Sequence, residues 1–249
     1  MLITFPEPSW ILLKTNYTST RQKMSWELIG LSVLLLIALL AVWLRSRGSK
    51  VRNIIFVGPT DTGKTAIFMK LLHGFNEETF TSLTCNKGNY KLKDSGVEIS
   101  VVDIPGHERI RRGFVDKLKG KSPAVAYVLD ASTFESKLRD AGEFLCELLK
   151  DPALGLNNFA IICNKQDLPN SKGVSIIRQR LEEEINLLHE IHSKSLDDNT
   201  VSSSSLTLKS PEKDFKFADL KAQVQFLECS ALDQNGLLDV QNWIQSIAG

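Results

Sequence analysis

A glycine-rich segment between an apolar run and an amphipathic stretch has the composition of a phosphate-binding loop. Residues 58–65 read GPTDTGKT and fit the pattern G-x-x-x-x-G-K-[ST]. Glycines let successive backbone N–H groups face phosphate oxygens, and the following helix presents its positive N-terminal end to the same anion. Lys64 supplies a positive charge for the β- and γ-phosphates, and the Thr65 hydroxyl is a ligand for Mg²⁺. We therefore predict nucleotide contacts from Gly58, Pro59, Thr60, Asp61, Thr62, Gly63, Lys64, Thr65 and Ala66.

A second polar segment, DIPGHE at residues 103–108, follows another apolar run. Asp103, at the carboxyl end of a predicted strand, would hold Mg²⁺ through a water molecule. The backbone N–H of Gly106 would contact a γ-phosphate. A D-x-x-G pattern alone is more typical of a turn, and its position after a phosphate loop is what makes it informative.

Hydroxyl side chains precede this segment in TFTSLT, residues 79–84. The hydroxyl of Thr84 would close over the metal ion when a γ-phosphate is present. We place Thr81 and Ser82 beside the nucleotide in the same loop. The predicted metal ligands are therefore Thr65, Thr84 and Asp103.

A third polar sequence, NKQD, begins at Asn164 and can select a base. The Asp167 carboxylate can accept hydrogen bonds from the ring N–H and the exocyclic amine of guanine. Adenine lacks that pair of donors and would leave the carboxylate unpaired. Asn164 would tie this loop to the phosphate loop, and the stem of Lys165 would cover the base. Later in the chain, CSAL places Ser230 beside the base and the Ala231 N–H near the guanine oxygen.

Elements that would position these motifs alternate along the chain from residue 51 onward. Runs rich in Val, Ile and Phe predict strands at 51–57, 97–103, 124–130, 160–163 and 224–229, with an antiparallel edge strand at 87–93. Amphipathic stretches predict helices at 64–73, 135–150, 174–192 and 237–248. This alternation predicts one doubly wound α/β domain with a mostly parallel sheet of six strands.

The third predicted helix has an apolar stripe formed by Ile176, Ile177, Leu181, Ile185 and Leu188. Residues 193–213, which follow it, are rich in serine and contain no aromatic residue. Such a segment buries too little apolar surface to offset the entropy cost of ordering it. We predict a mobile surface insertion, with a regulated or partner-binding loop as the alternative.

An uncharged apolar run, LIGLSVLLLIALLAVWL, occupies residues 28–44. As a helix it would be about 25 Å long, just enough for a bilayer core. A buried globular helix would carry a polar face, and a cleaved signal would have a shorter apolar region, so we favour a signal anchor. We predict a luminal segment at 1–25, the transmembrane anchor at 26–44, a basic linker at 45–50 and a cytosolic domain at 51–249.

Composition excludes several other classes of protein. Thirty Lys and Arg against 29 Asp and Glu leave a net charge of +1, which argues against a strongly basic nucleic-acid binder. The apolar share of 43% argues against wholesale disorder. Four dispersed cysteines without a CxxC pair argue against a disulfide scaffold or a zinc site.

Taken in this order, the four motifs resemble those of small Ras-type GTPases, and NKQD is the form found in the Arf and Sar branch. The apolar segment, the serine-rich insertion and DIPGHE together resemble the family of signal recognition particle receptor beta subunits. The resemblance covers essentially the whole chain from the apolar segment onward.

This resemblance implies a Ras-type P-loop G domain that binds GTP or GDP with Mg²⁺. It implies a single-pass endoplasmic reticulum membrane protein whose cytosolic domain recruits the receptor alpha subunit in the GTP state for co-translational targeting. Contact with the ribosome and the translocon would be indirect, and no direct nucleic-acid binding is expected. An Arf- or Sar-like GTPase that recruits vesicle coats, and a structural anchor with constitutively bound nucleotide, are the alternatives.

Two departures from the Ras pattern concern catalysis. His107 stands where Ras-type enzymes place the glutamine that orients the attacking water, and Sar-type GTPases also carry histidine there. Thr60 and Asp61 stand where fast-cycling members have small residues. We expect His107 to orient water, with an inert exposed histidine as the alternative, and hydrolysis that is slow or dependent on a partner.

Overall fold

The structure is a computed structural model that describes residues 33–40, 53–74, 84–92, 96–118, 124–151, 154, 158–196, 214–220 and 223–248. The chain divides into two compact units, Met1–Ser49 and Lys50–Gly249. In the first unit, residues 33–40 form an α-helix with exposed leucines. Within the described part of the chain, no helix has the length and apolarity needed to cross a membrane. The rest of the span predicted at 26–44 lies outside the described residues.

The second unit is a six-stranded sheet with helices on both faces. Its strands are β1 (Asn53–Val57), β2 (Asn86–Lys91), β3 (Glu98–Asp103), β4 (Ala124–Asp130), β5 (Phe159–Asn164) and β6 (Val224–Glu228). Its helices are α1 (Lys64–His73), α2 (Glu108–Leu118), α3 (Phe134–Lys150), α4 (Val174–Leu196) and α5 (Leu238–Ala248), with a 3-10 turn at Phe217–Asp219. The strand order is β2-β3-β1-β4-β5-β6. β2 runs antiparallel to β3 and the other pairings are parallel, which confirms the predicted doubly wound sheet.

Alternation along the buried strands divides the core into two layers. In β1, Ile55 and Val57 belong to the layer that holds α3 and α4, whereas Ile54 and Phe56 belong to the layer that holds α1 and α5. All seven residues of β4 are buried, as expected for a central parallel strand covered on both faces. Because helices pack on both faces of the sheet, the central strands are held rigidly, and so are the loops at their ends.

Three sequence predictions need correction. Helix α2 was not predicted, because charged residues dominate the segment and its apolar contacts come from few side chains, among them Phe114 and Val115. Helix α4 continues to Leu196, so the predicted insertion at 193–213 begins inside a helix, and 197–213 lies outside the described residues. Ile176 is 47% exposed and does not belong to the buried stripe, whereas Ile177, Leu181, Ile185 and Leu188 do.

Four cysteines are free thiols, and three of them are buried: Cys146, Cys163 and Cys229. Burial raises the pKa of both Cys163 and Cys229 to about 12. The backbone N–H of Cys229 donates to the carbonyl of Cys163 at 3.0 Å, so these two residues are neighbours across β5 and the end of β6.

A buried tyrosine gives the first testable prediction. Tyr127 in β4 is fully buried, and its hydroxyl donates to the Ala141 carbonyl of α3 at 2.7 Å. Tyr127→Phe removes that bond and is expected to lower the free energy of unfolding by about 1 kcal/mol in urea denaturation. Tyr90→Phe on the edge strand is the matched control and should change it by less than about 0.5 kcal/mol. Equal losses in both variants would contradict the importance of the Tyr127 bond.

Candidate functional site

The candidate site lies along the carboxyl edge of the parallel strands. Parallel strands end at the same edge of a sheet, and ligands of open α/β sheets bind there. The loops that follow β1, β3, β5 and β6 carry the four predicted motifs. The sheet order therefore brings together motifs that are more than a hundred residues apart in the chain.

The phosphate loop has a backbone that requires its glycines. Gly58 has φ 150°, and a Cβ there would lie 2.2 Å from the carbonyl oxygen of Val128. Gly63 has φ 85°, and a Cβ there would lie 2.2 Å from the Nδ2 of Asn164. The Thr62 hydroxyl donates to the Pro59 carbonyl at 3.1 Å and tightens the turn. The loop then leads directly into α1, whose first residue is Lys64.

Lys64 is a buried cation inside this loop. Its Nζ donates to the Pro59 carbonyl at 2.6 Å and to the Thr62 hydroxyl at 3.4 Å. Burial lowers the pKa of Lys64 to about 8, although Asp103 and Asp61 oppose that shift. An anion near Nζ would stabilise the protonated form, so the loop suits a phosphate group.

Asp103 and Thr65 form the candidate metal centre. The Asp103 Oδ2 accepts from the Thr65 hydroxyl at 2.7 Å and from the Asn86 Nδ2 at 3.1 Å. The Oδ1 is buried and has no hydrogen-bond partner among the described residues. Burial raises the pKa of Asp103, and its hydrogen bonds offset only part of that shift. A buried carboxylate oxygen without a donor, next to a hydroxyl, fits a hydrated Mg²⁺ ion, which supplies water donors and positive charge.

The residues predicted to sense a γ-phosphate differ in exposure. Gly106 is buried, and a Cβ there would lie 2.7 Å from the backbone nitrogen of Thr60, so the two loops touch closely. His107 is exposed, and its Nδ1 accepts from the backbone N–H of Arg109 at 3.4 Å. Thr84 is exposed two residues before β2 begins, whereas Thr81 and Ser82 lie outside the described residues.

The loop predicted to read the base is joined to its neighbours through Asn164. This fully buried side chain donates from Nδ2 to the Thr62 carbonyl at 2.8 Å and accepts at Oδ1 from the Ala231 N–H at 3.1 Å. Asp167 is exposed, and its Oδ1 accepts from the Ser230 hydroxyl at 2.6 Å. The Ala231 N–H, predicted to face a guanine oxygen, therefore has Asn164 as its partner here. The Asp167 carboxylate is oriented by Ser230 at the rim of the site.

Asp130, at the end of β4, contacts the candidate site although no sequence motif includes it. Its Oδ2 accepts from the Lys165 Nζ at 2.6 Å, and Lys165 also donates to the Asp61 carbonyl at 2.8 Å. Burial alone would raise the pKa of Asp130, but hydrogen bonds from Lys165 and Ser132 outweigh it and lower the pKa to about 2. Lys165 itself has φ 67°, so this contact holds a strained backbone. The signal available in the sequence was an aspartate at the end of a buried strand.

Lys70 in α1 is a second missed residue. Its Nζ donates to the carbonyl oxygen of Ala231 at 2.8 Å and also to that of Asp233. The helix that starts at the phosphate loop thereby holds the loop that follows β6. A basic residue near the end of a helix is too common a feature to have indicated this contact.

Comparison with known proteins agrees with this geometry. The family model described as signal recognition particle receptor beta subunit matches residues 49–224. The signal recognition particle receptor subunit beta of Rattus norvegicus is 36% identical over 235 residues, covering 88% of this chain and 86% of that protein. The Homo sapiens protein of the same name is 35% identical with the same coverage.

Solved structures give the same result. A chain in the structure of the mammalian SRP receptor superposes with a TM-score of 0.70 at 36% identity, covering 79% of this chain and all of that one. The SRb-GTP/SRX complex of the signal recognition particle receptor from Chaetomium thermophilum gives a TM-score of 0.61 at 18% identity, covering 78% of this chain and 99% of that one. The second likeness supports the small GTPase fold alone.

The Lys70 contact yields a prediction that requires no ligand. Lys70→Met removes two hydrogen bonds to the loop after β6, so the amides of Ala231 and Asp233 are expected to exchange with solvent at least fivefold faster. Hydrogen–deuterium exchange of the full chain measures this change. Lys91→Met, at an exposed position of β2, is the matched control and should leave both rates unchanged. Unchanged exchange in Lys70→Met would show that the contact does not hold the loop.

Proposed function

The chain belongs to the signal recognition particle receptor beta subunit family, and we propose that it recruits the receptor alpha subunit to the endoplasmic reticulum membrane when GTP is bound. The observation that carries the proposal is Asp103, whose buried carboxylate is half satisfied by Thr65 and Asn86 and half without a protein donor. A Mg²⁺–nucleotide complex would complete that site. Its γ-phosphate would then contact the loops that contain Thr84 and Gly106.

The nucleotide contacts are proposed from the sequence motifs, and the hydrogen bonds of Lys64, Thr65 and Asp103 support them. Backbone N–H groups of the phosphate loop and the Lys64 ammonium would bind the β- and γ-phosphates. Thr65 and the water-bridged Asp103 would hold Mg²⁺, with Thr84 as a further ligand. Asp167 would accept from guanine, and adenine would leave its carboxylate unpaired.

Specificity for guanine would also depend on residues that position Asp167 and Lys165 without touching the base. Ser230 orients one oxygen of Asp167, and Asn164 fixes both flanking loops. Lys165 would lie along the base, held in place by Asp130.

We propose that the switch acts through the segments around Thr84 and Gly106. A γ-phosphate would order both segments, and its loss would release them. The two segments are joined in the sheet, because Asn86 in β2 donates to Asp103 in β3. A change at the metal centre would therefore reach the surface of the edge strand. His107 would orient the attacking water, and hydrolysis would be slow without a partner.

The membrane part of the proposal depends on the sequence. The uncharged run at 28–44 would anchor the chain from 26 to 44, with 1–25 in the lumen and 45–50 as a basic linker. The domain at 51–249 would then face the cytosol, where GTP is available. Ribosome and translocon would be reached through the receptor as a whole.

The full-length chain in detergent, titrated with the alpha subunit, tests this function. We expect tight binding with a non-hydrolysable GTP analogue and at least tenfold weaker binding with GDP or without nucleotide. Equal affinity in all three states would leave a constitutive anchor. Absence of binding in every state would favour the coat-recruiting alternative.

A change of base selectivity provides the matched control. Asp167→Asn removes the carboxylate that accepts from the guanine amine, but its amide can pair with xanthine, which carries an oxygen in place of that amine. Binding of the alpha subunit to this variant should be lost with GTP and restored with xanthosine triphosphate. Restoration would assign the effect to base recognition and exclude misfolding, and binding supported equally by GTP would refute the role of Asp167.

Proton uptake gives an independent prediction. With a pKa of about 8, Lys64 is about nine-tenths neutral at pH 9 and about one-tenth neutral at pH 7. Phosphate binding would raise that pKa, so nucleotide binding should take up close to one proton at pH 9 and little at pH 7. Calorimetry in buffers of different ionisation enthalpy measures this uptake. Lys64→Arg, which stays charged at both pH values, should abolish the difference, and equal uptake by the wild type at both pH values would refute the prediction.

A further inference from the structure

A cavity of about 810 Å³ lies between α2, α3 and the phosphate loop. Its lining includes Pro59 and Thr60 of the phosphate loop, Gly106 and His107 of the sensor segment, and Arg111 of α2. The cavity therefore joins the place proposed for the γ-phosphate to a part of the molecule that no predicted motif includes.

Arg111 is a buried cation that no described carboxylate neutralises by direct contact. It is 9% exposed, and its guanidinium carbon lies 3.7 Å from the ring centroid of Phe144 in α3. Its Nε has no hydrogen-bond partner among the described residues. Burial lowers the pKa of Arg111, and the more distant Glu108 and Glu147 only moderate the effect. Such a charge is costly to hold in the folded protein unless an anion accompanies it.

The cavity places this charge beside the phosphate loop, because Arg111 lines the same space as Pro59 and Thr60. The backbone N–H of Arg111 donates to the His107 carbonyl at 3.0 Å, so Arg111 lies one helical turn after the residue that follows Gly106. An anion bound in that space would stabilise the buried guanidinium.

The neighbouring arginine has a different environment. The Nε of Arg112 pairs with Glu147 at 2.9 Å, and its side chain is 62% exposed. Exposed pairs of this kind contribute little to stability. The two arginines therefore share a helix and a charge but differ in burial and in pairing.

We propose that Arg111 contacts the terminal phosphate of the bound nucleoside triphosphate and gives the site its preference for GTP over GDP. The proposal rests on the proposed function, because it needs a nucleotide on the phosphate loop. The guanidinium would supply charge-assisted hydrogen bonds to phosphate oxygens. Since GDP has no terminal phosphate, these bonds would form with GTP alone. Arg111 would then act as a nucleotide sensor on α2, adjacent to His107.

The test compares nucleotide affinities of the full-length chain in detergent. Arg111→Met keeps an apolar stem against Phe144 and removes the charge. We expect its affinity for a non-hydrolysable GTP analogue to fall at least tenfold, which corresponds to about 1.4 kcal/mol, while its affinity for GDP changes less than twofold. Calorimetric titration with each nucleotide measures the ratio.

Arg112→Met is the matched control and should leave both affinities unchanged. Equal weakening of GTP and GDP binding in Arg111→Met would assign the residue a structural role, and an unchanged ratio would overturn the proposal. If Arg111→Met binds neither nucleotide, the ratio in Arg111→Gln decides by the same criterion. A wild-type chain that binds neither nucleotide would refute the proposed function, an outcome distinct from an unchanged ratio in the variant.

Discussion

The buried side-chain amide of Asn164 makes the two hydrogen bonds on which the rest of the site depends. One side chain donates to the phosphate loop at Thr62 and accepts from the loop after β6 at Ala231. It reaches both because β5 lies beside β6 and its carboxyl end meets the same edge as that of β1. An amide both donates and accepts, so no carboxylate or ammonium group could make both contacts. The three loops thus form one unit, and displacement of one of them would strain the other two.

Two of the charges around these loops lack an interaction that a nucleotide with its metal ion would supply. Lys64 is buried with neutral carbonyl and hydroxyl partners, and Asp103 has one oxygen without a donor. By contrast, Asp130 and Lys165 satisfy each other within the protein. The unsatisfied groups lie where phosphate and metal would bind. The satisfied pair instead joins the loop that contains Lys165 to the end of β4. The folded state is therefore less stable than it would be if Lys64 and Asp103 were fully paired within the protein. Binding of a nucleotide would restore that stability.

Much of this arrangement was predictable because strands and motifs have local signatures. Five apolar runs and the edge strand predicted at 87–93 account for the six strands, and α1 was predicted at its observed bounds, Lys64–His73, which have a glycine on either side. Helix α2 escaped prediction because its contacts with the core are few and its surface is charged. Lys70 and Asp130 were not predicted for a different reason. Their roles come from which strands lie side by side, and strand order is a property of the whole sheet. Thr84 is the opposite case. It was predicted from its position alone, and its side chain is exposed. Asn86, two residues later, donates to Asp103, and that bond was not predicted.

The buried thiols of Cys163 and Cys229 lie in the two different core layers, next to the edge of the sheet that carries the candidate site. Both are buried and have a pKa far above neutrality, so alkylating reagents cannot react with them in the closed fold. Modification must wait until β5 and β6 separate from the helices that cover them. The rate at which Cys163 and Cys229 are labelled therefore reports how often the region that would bind the base opens. A ligand that links those loops would slow the labelling in proportion to the stability it adds, without touching either sulfur.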